Sequence, residues 1–139
     1  MFNRIVIAND GSGGAARALS AAIKLAKQHD AELLMVSVEE VPQFPASLDE
    51  VVEEKTEANR LFEGVISRAK AQAQAEGVTL STHVLAGHAV GTIVEFVARQ
   101  HADLLLIGSR GHSALYNRVI GSTTDRLLEL AGCTVMVVK

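Results

Sequence analysis

The chain has a single cysteine, Cys133, among 139 residues, so no internal disulfide can form. A lone thiol fits a reducing compartment. Long apolar runs are also missing, and none approaches the roughly 18 residues that cross a bilayer. The opening stretch from Met1 to Ile7 lacks the cationic start and the longer apolar core of a secretory leader. Charge of one sign is scarce. The formal net charge is −3, acidic and basic residues are interspersed, and no Lys/Arg run is long enough to track a nucleic-acid backbone. Low-complexity tracts, long linkers and internal repeats are absent. The expectation is a cytoplasmic globular protein with no membrane insertion and no nucleic-acid partner. One domain spanning 1–139 suits this length, and 48% apolar residues can bury a sizeable core.

Several chemistries are missing too. No Walker A sequence is present. The histidines, His29, His83, His88, His101 and His112, make no zinc-site spacing with Cys133. No nucleophile–base pair stands out. The acidic residues Asp49, Glu50, Glu53 and Glu54 read most simply as a favourable helix start.

What is there is an alternation. Arg4–Ala8 is a short apolar run ended by Asn9-Asp10-Gly11, which predicts a buried strand. Ala15, Ala18, Leu19, Ala22, Ile23 and Ala26 then share one helical face, with Lys24, Lys27 and His29 toward its C-terminal end. Leu33–Val38 is a second strand, and Pro42 and Pro45 mark a loop. Ser47 and Glu50 have capping-box spacing for a helix whose apolar face runs from Ala58 to Ala69 and which Gly77 ends. Thr79–Leu85 is a third strand, Val90–Ala98 a helical face, and Asp103–Ile107 a fourth strand stopped by Gly108. Ser122 reads as an N-cap with Asp125 three residues on, for a short helix ending near Gly132; Thr134–Val138 is the last strand. The order β-α-β-α-β-α-β-α-β predicts one doubly wound, five-stranded parallel sheet with helices on both faces. Ligands of such sheets sit beyond the C-terminal strand ends, at the switch in strand order.

Two strand ends carry unusual loops. After the fourth strand comes Gly108-Ser109-Arg110-Gly111, nine further residues, then Gly121-Ser122. The glycines permit tight turns and close approach of a ligand. A helix opening at Gly121-Ser122 offers N–H groups and a dipole to an anion, and Arg110 and Arg118 add positive charge. These are the parts of a phosphate cradle. They are also the parts of an ordinary strand end followed by a good helix start. After the first strand, Gly11-Ser12-Gly13-Gly14-Ala15-Ala16 fits G-x-G-x-x-A, with Glu39 further on. Asp10 counts against a dinucleotide there, because its carboxylate would face a pyrophosphate. Ser12-Gly13-Gly14 is similar to the pyrophosphatase loop of ATP-dependent ligases and thiolases, but Ala16-Arg17 stands where that loop has Asp-Ser.

The spacing G-x-x-G, nine residues, G-S resembles the ATP-binding branch of the universal stress protein family. Ala102–Gly111 resembles that family's fourth strand and loop, Gly121–Leu128 the helix after it, and Cys133–Lys139 its last strand, although Pro is common where Thr134 stands. Ile5–Ser12 resembles its opening strand and Asp-Gly-Ser turn, so the resemblance covers the whole chain. It implies a strand order of 3-2-1-4-5 and a regulatory, stress-response protein that binds ATP with Mg2+. Asp10 would lie near the ribose or a phosphate-bound metal ion, with Ala8, Asn9 and Ser12 beside it in the opening turn. The Val38 backbone would meet the adenine edge. Gly108, Ser109, Arg110, Gly111, His112, Gly121, Ser122 and Thr123 would surround the phosphates. Asp10 also reads as turn chemistry, and His112 as a solvated loop residue. The resemblance leaves ADP and AMP open as alternatives to ATP.

Other functions remain open at this stage. A slow ATPase or phosphotransferase could use the pocket, and so could an interaction scaffold that holds no nucleotide. The loop has Ser109, Ser113, Ser122 and two arginines but no obvious general base, which favours binding over fast turnover. In the order 3-2-1-4-5 the last strand lies at an edge. It is almost wholly apolar, and with the chain ending at Lys139 nothing later would cover it, so a homodimer through 134–138 is expected.

Overall fold

The computed structural model describes residues 1–40, 48–109 and 121–139, with 48–59 described as backbone only. Its elements are β1 (Arg4–Ala8), α1 (Gly13–His29), β2 (Glu32–Glu39), α2 (Leu48–Ala75), β3 (Leu80–Ala86), α3 (Ala89–Arg99), β4 (Leu104–Gly108), α4 (Ser122–Leu130) and β5 (Thr134–Val138). The five strands form one sheet in the order β3-β2-β1-β4-β5, every pair parallel. This is the expected doubly wound architecture. Element boundaries differ from the sequence reading by a residue or two. The helix after β1 starts at Gly13, because Ser12 already has the extended backbone of an N-cap. Strand β3 runs one residue later than expected at each end.

Alternation along the strands splits the core in two. Ile5, Ile7, Leu33, Met35, Leu104 and Leu106 face α1 and α2. Val6, Leu34, Val36, Leu105 and Ile107 face α3 and α4. Both faces of the central strands are therefore buried, which is why they read as unbroken apolar runs rather than alternating ones. Each such isoleucine or leucine contributes about 1.5–3 kcal/mol by leaving water. The face of α1 expected from spacing is the one buried: Ala15, Ala18, Leu19, Ala22, Ile23 and Ala26. Its alanines keep that face slim and bring the helix close to the sheet.

The helix ends follow local chemistry. Asp30 closes α1 in the left-handed region, its N–H bonded to the Ala26 carbonyl. Gly77 (φ 73°) turns the chain after α2. Beyond that turn the Val78 N–H reaches back to the Ala73 carbonyl. Backbone helix begins at Leu48, the residue after the expected cap, while Ser47 itself lies outside the described residues. At the N-terminal rim of the sheet, Asp103 accepts from the backbone N–H groups of Asn3 (2.8 Å) and Arg4 (3.1 Å) and so fixes the start of β1. Among the described residues, no helix is long and apolar enough to cross a membrane.

Candidate functional site

The strand order reverses between β1 and β4, and the chain leaves these neighbours in opposite directions. The crevice at the switch point therefore opens beyond Ala8 and Gly108. The β1 side of it is a tightly bonded turn. The Asn9 N–H extends the ladder to the Val36 carbonyl (2.9 Å). Its side-chain oxygen accepts from the Gly11 N–H (2.9 Å) and its amide nitrogen donates to the Met35 sulfur (3.4 Å). Asp10 Oδ1 accepts from the Ser12 N–H (2.9 Å). Ser12 Oγ accepts from the Ala15 N–H (3.2 Å) and caps α1. Gly11 makes the turn possible at φ 84°, where other residues are strained.

The β4 side is finished differently. Ser109, 7% exposed, donates its N–H to the Val138 carbonyl (3.1 Å) and accepts from the Gly121 N–H (2.7 Å). Thr124, 5% exposed, donates its hydroxyl to the Gly108 carbonyl (2.7 Å). These bonds bring the two halves of the glycine motif together across eleven intervening residues, 110–120. The N-cap of α4 is Gly121, not Ser122 as the spacing predicted; Ser122 is the first helical residue and is exposed. Glycine has no side chain, so no side-chain bond caps this helix. The first turn of α4 thus presents N–H groups that the cap leaves unused, beside the switch point.

Gly108 has a structural reason for being glycine. A Cβ built there would lie 2.7 Å from the Gly14 carbonyl carbon and 3.0 Å from the Ala15 nitrogen. The space that a side chain would need there is filled by the backbone of α1. Ala8 and Val38 are half-buried and pack against the α3–α4 side of the core. Asn9 is buried inside the turn (6% exposed), while Asp10, Ser12 and Thr123 are half-buried at its rim and across from it. Arg110, Gly111 and His112 lie outside the described residues, as do Ser113 and Arg118.

Sequence reasoning missed three contributors: Gly14, Ser37 and Thr124. Gly14 was legible only as part of a glycine string. Ser37, 1% exposed, donates to the Asn9 carbonyl (2.7 Å). Its signal was a hydroxyl in the middle of an apolar strand, where a buried polar group must find a partner. Among the described residues no cluster of three or more His, Cys, Asp or Glu side chains could hold a metal ion. The Cys133 thiol is raised above its usual range, by burial first and then by the Asp103 carboxylate. It sits just before β5, at the rim of the sheet away from the crevice.

The comparisons with known proteins agree with this architecture. The sequence model of the universal stress protein family matches residues 1–139. A universal stress protein of Methanocaldococcus jannaschii is 32% identical, with all of this chain and 83% of that protein aligned. The universal stress protein YxiE of Bacillus subtilis is 31% identical over the full length of both. The solved structure of the universal stress protein UspA from Lactobacillus plantarum superposes with a TM-score of 0.90 at 23% identity, over 99% of this chain and 97% of that one. Three further neighbours were solved with nucleotides. A universal stress protein in complex with cAMP has a TM-score of 0.78 at 24% identity, over 99% of this chain and 97% of that one. One from Archaeoglobus fulgidus with dAMP has 0.69 at 22%, over 100% and 98%, and one from Arabidopsis thaliana with AMP bound has 0.73 at 18%, over 99% and 91%. With the family model matched from end to end and full-length relatives above 30% identity, this chain belongs to the universal stress protein family.

Proposed function

We propose that the protein binds ATP at the switch-point crevice and acts as a regulatory stress-response protein of the cytoplasm. The observation that carries this is the uncapped first turn of α4, tied to the end of β4 through the Gly121–Ser109 bond. That turn would take the phosphates on the amides around Ser122 and Thr123. Arg110, Gly111 and His112 would belong to the same phosphate site. The same geometry argues against a dinucleotide on the first loop, whose Gly11, Ser12 and Ala15 N–H groups already bond to the side chains of Asn9, Asp10 and Ser12. Neighbours solved with cAMP, dAMP and AMP support an adenine nucleotide.

Mg2+ fits this reading as an ion carried mainly by the phosphates. Such ions need one or two carboxylates rather than a full protein cage, and Asp10 is the carboxylate at the rim. When bound, the ion would neutralise phosphate charge. Asp10 would hold its place there while its Oδ1 keeps the Ser12 N–H. Asp10→Ala should weaken ATP binding by about 1–3 kcal/mol, as for a charged hydrogen bond.

The test is mass spectrometry of ligand released from freshly purified protein, followed by calorimetry with ATP, ADP and AMP. ATP released and bound most tightly is expected. Tight binding of none of the three overturns the reading.

A homodimer through β5 belongs to the same proposal. Val138 directs its carbonyl to Ser109 on the β4 side. Alternation then turns the backbone groups of Val135 and Val137 outward, along an edge that no described element pairs with. Two copies pairing antiparallel across a two-fold axis would satisfy both edges. Val137→Pro removes one outward N–H, so light scattering on a sizing column should read a dimer for wild type and a smaller species for the variant. A wild-type monomer at tens of micromolar contradicts it.

A further inference from the structure

Parallel strands exchange bonds in a fixed alternation: a residue of one strand donates to its neighbour and accepts two residues further along. The Asn9 N–H donates to Val36. By that alternation the Val38 N–H and C=O also point toward β1, and the regular partner of the Val38 N–H is the Asn9 carbonyl. That bond is not made among the described residues. The Asn9 carbonyl instead accepts the hydroxyl of Ser37 at 2.7 Å, and Ser37 is 1% exposed. The β1–β2 ladder accordingly ends one step early, at Ala8–Val36. Beyond it the chain turns away through Asp10 and Gly11. On the other side β2 is held by β3, with Val38 opposite Leu85 and the Gly87 N–H on the Glu39 carbonyl (3.0 Å). Val38 is therefore fixed in place, with an N–H and a C=O aimed into the mouth of the crevice.

We propose that Ser37 is a positioning residue for base recognition: its hydroxyl occupies the Asn9 carbonyl and so keeps the Val38 N–H and C=O open to a ligand. A donor and an acceptor side by side on one extended residue match the adenine edge, where a ring nitrogen accepts and the exocyclic amine donates. Guanine presents a carbonyl and a ring N–H along the corresponding edge, in the reverse order, so in the orientation of adenine it sets donor against donor and acceptor against acceptor. The inference rests on the nucleotide reading above and gives that site a source of base specificity. Ser37 does not touch the nucleotide; it acts through the Asn9 carbonyl.

Three readouts on wild type and Ser37→Ala test it. The first is amide hydrogen exchange in the ligand-free proteins. The Val38 amide should exchange faster than that of Val36 in wild type and slow in Ser37→Ala, where it can close onto the freed Asn9 carbonyl. The second is ATP affinity, which should fall about fivefold to tenfold in Ser37→Ala, the equivalent of one hydrogen-bonded contact. The third is affinity for inorganic tripolyphosphate, which uses the phosphate site without the base contact and should stay unchanged. A Val38 amide already protected in wild type overturns the inference without touching the nucleotide reading. So does a parallel loss of ATP and tripolyphosphate, which would make Ser37 a purely structural residue, and so does unchanged ATP affinity in the variant. A wild-type protein that binds neither probe overturns the nucleotide reading and the role of Ser37 with it.

Discussion

Helices α1 and α4 begin at the same rim of the sheet, after neighbouring strands, and their first turns are finished in opposite ways. At α1 every polar side chain of the turn folds back on the chain. Asn9 takes Gly11, Asp10 takes Ser12, and Ser12 takes Ala15. At α4 the cap is a glycine, and the nearby hydroxyl of Thr124 points back to Gly108 instead of to the helix amides. A helix start with a side-chain cap, as Ser12 caps the Ala15 N–H, is tied into the fold. One whose donors are left over can hold an anion. The glycine-rich string Gly11–Gly14 is thus the start of the side-chain-capped member of the pair.

Gly108 joins the two helix starts, and changing it should break both. Gly108→Ala places a methyl 2.7 Å from the Gly14 carbonyl carbon, so α1 must move off β4. Denaturant unfolding should show a loss of about 1–3 kcal/mol, as for an overpacked contact. Gly91→Ala is the control. It has nothing within 4 Å of the added carbon and lies within α3, so it should gain about 0.5–1 kcal/mol.

Ser122→Asp separates function from fold at α4. Ser122 is exposed at the first helical position, where a carboxylate suits the dipole and leaves stability equal or raised by about 0.3–1 kcal/mol. The same carboxylate would repel a phosphate, and calorimetry should show ATP binding weakened at least tenfold, about 1.4 kcal/mol. The mirror-image variant is Ser12→Ala. It removes the α1 cap and should cost stability about 1 kcal/mol while changing ATP affinity less than Ser122→Asp does. Equal affinity losses in both variants would erase the distinction between the two helices.

The fold was legible because its signals are periodic. Short apolar runs, helical faces and their order suffice for a parallel doubly wound sheet, and the strand order 3-2-1-4-5 followed from the family resemblance with the switch between the first and fourth strands. The Gly108–Ser122 motif was legible as a spacing. Its closure was not, since the Gly121–Ser109 bond depends on how far the chain returns after eleven residues. Capping was read one residue late at α4 because serine is the commoner cap, and here a buried glycine takes that place. The roles of Gly14 and Ser37 were out of reach for a different reason. Each depends on a partner some 28 or more residues away, Gly108 for one and Asn9 for the other.

The most direct test of the contrast between the two helices follows backbone amide resonances while Mg·ATP is titrated into the wild-type protein. The amides of Ser122, Thr123 and Thr124 at the start of α4 should show the largest shifts. Those of Gly13, Gly14 and Ala15 at the start of α1 should move far less. Shifts centred on the first turn of α1, with α4 unmoved, would contradict the account.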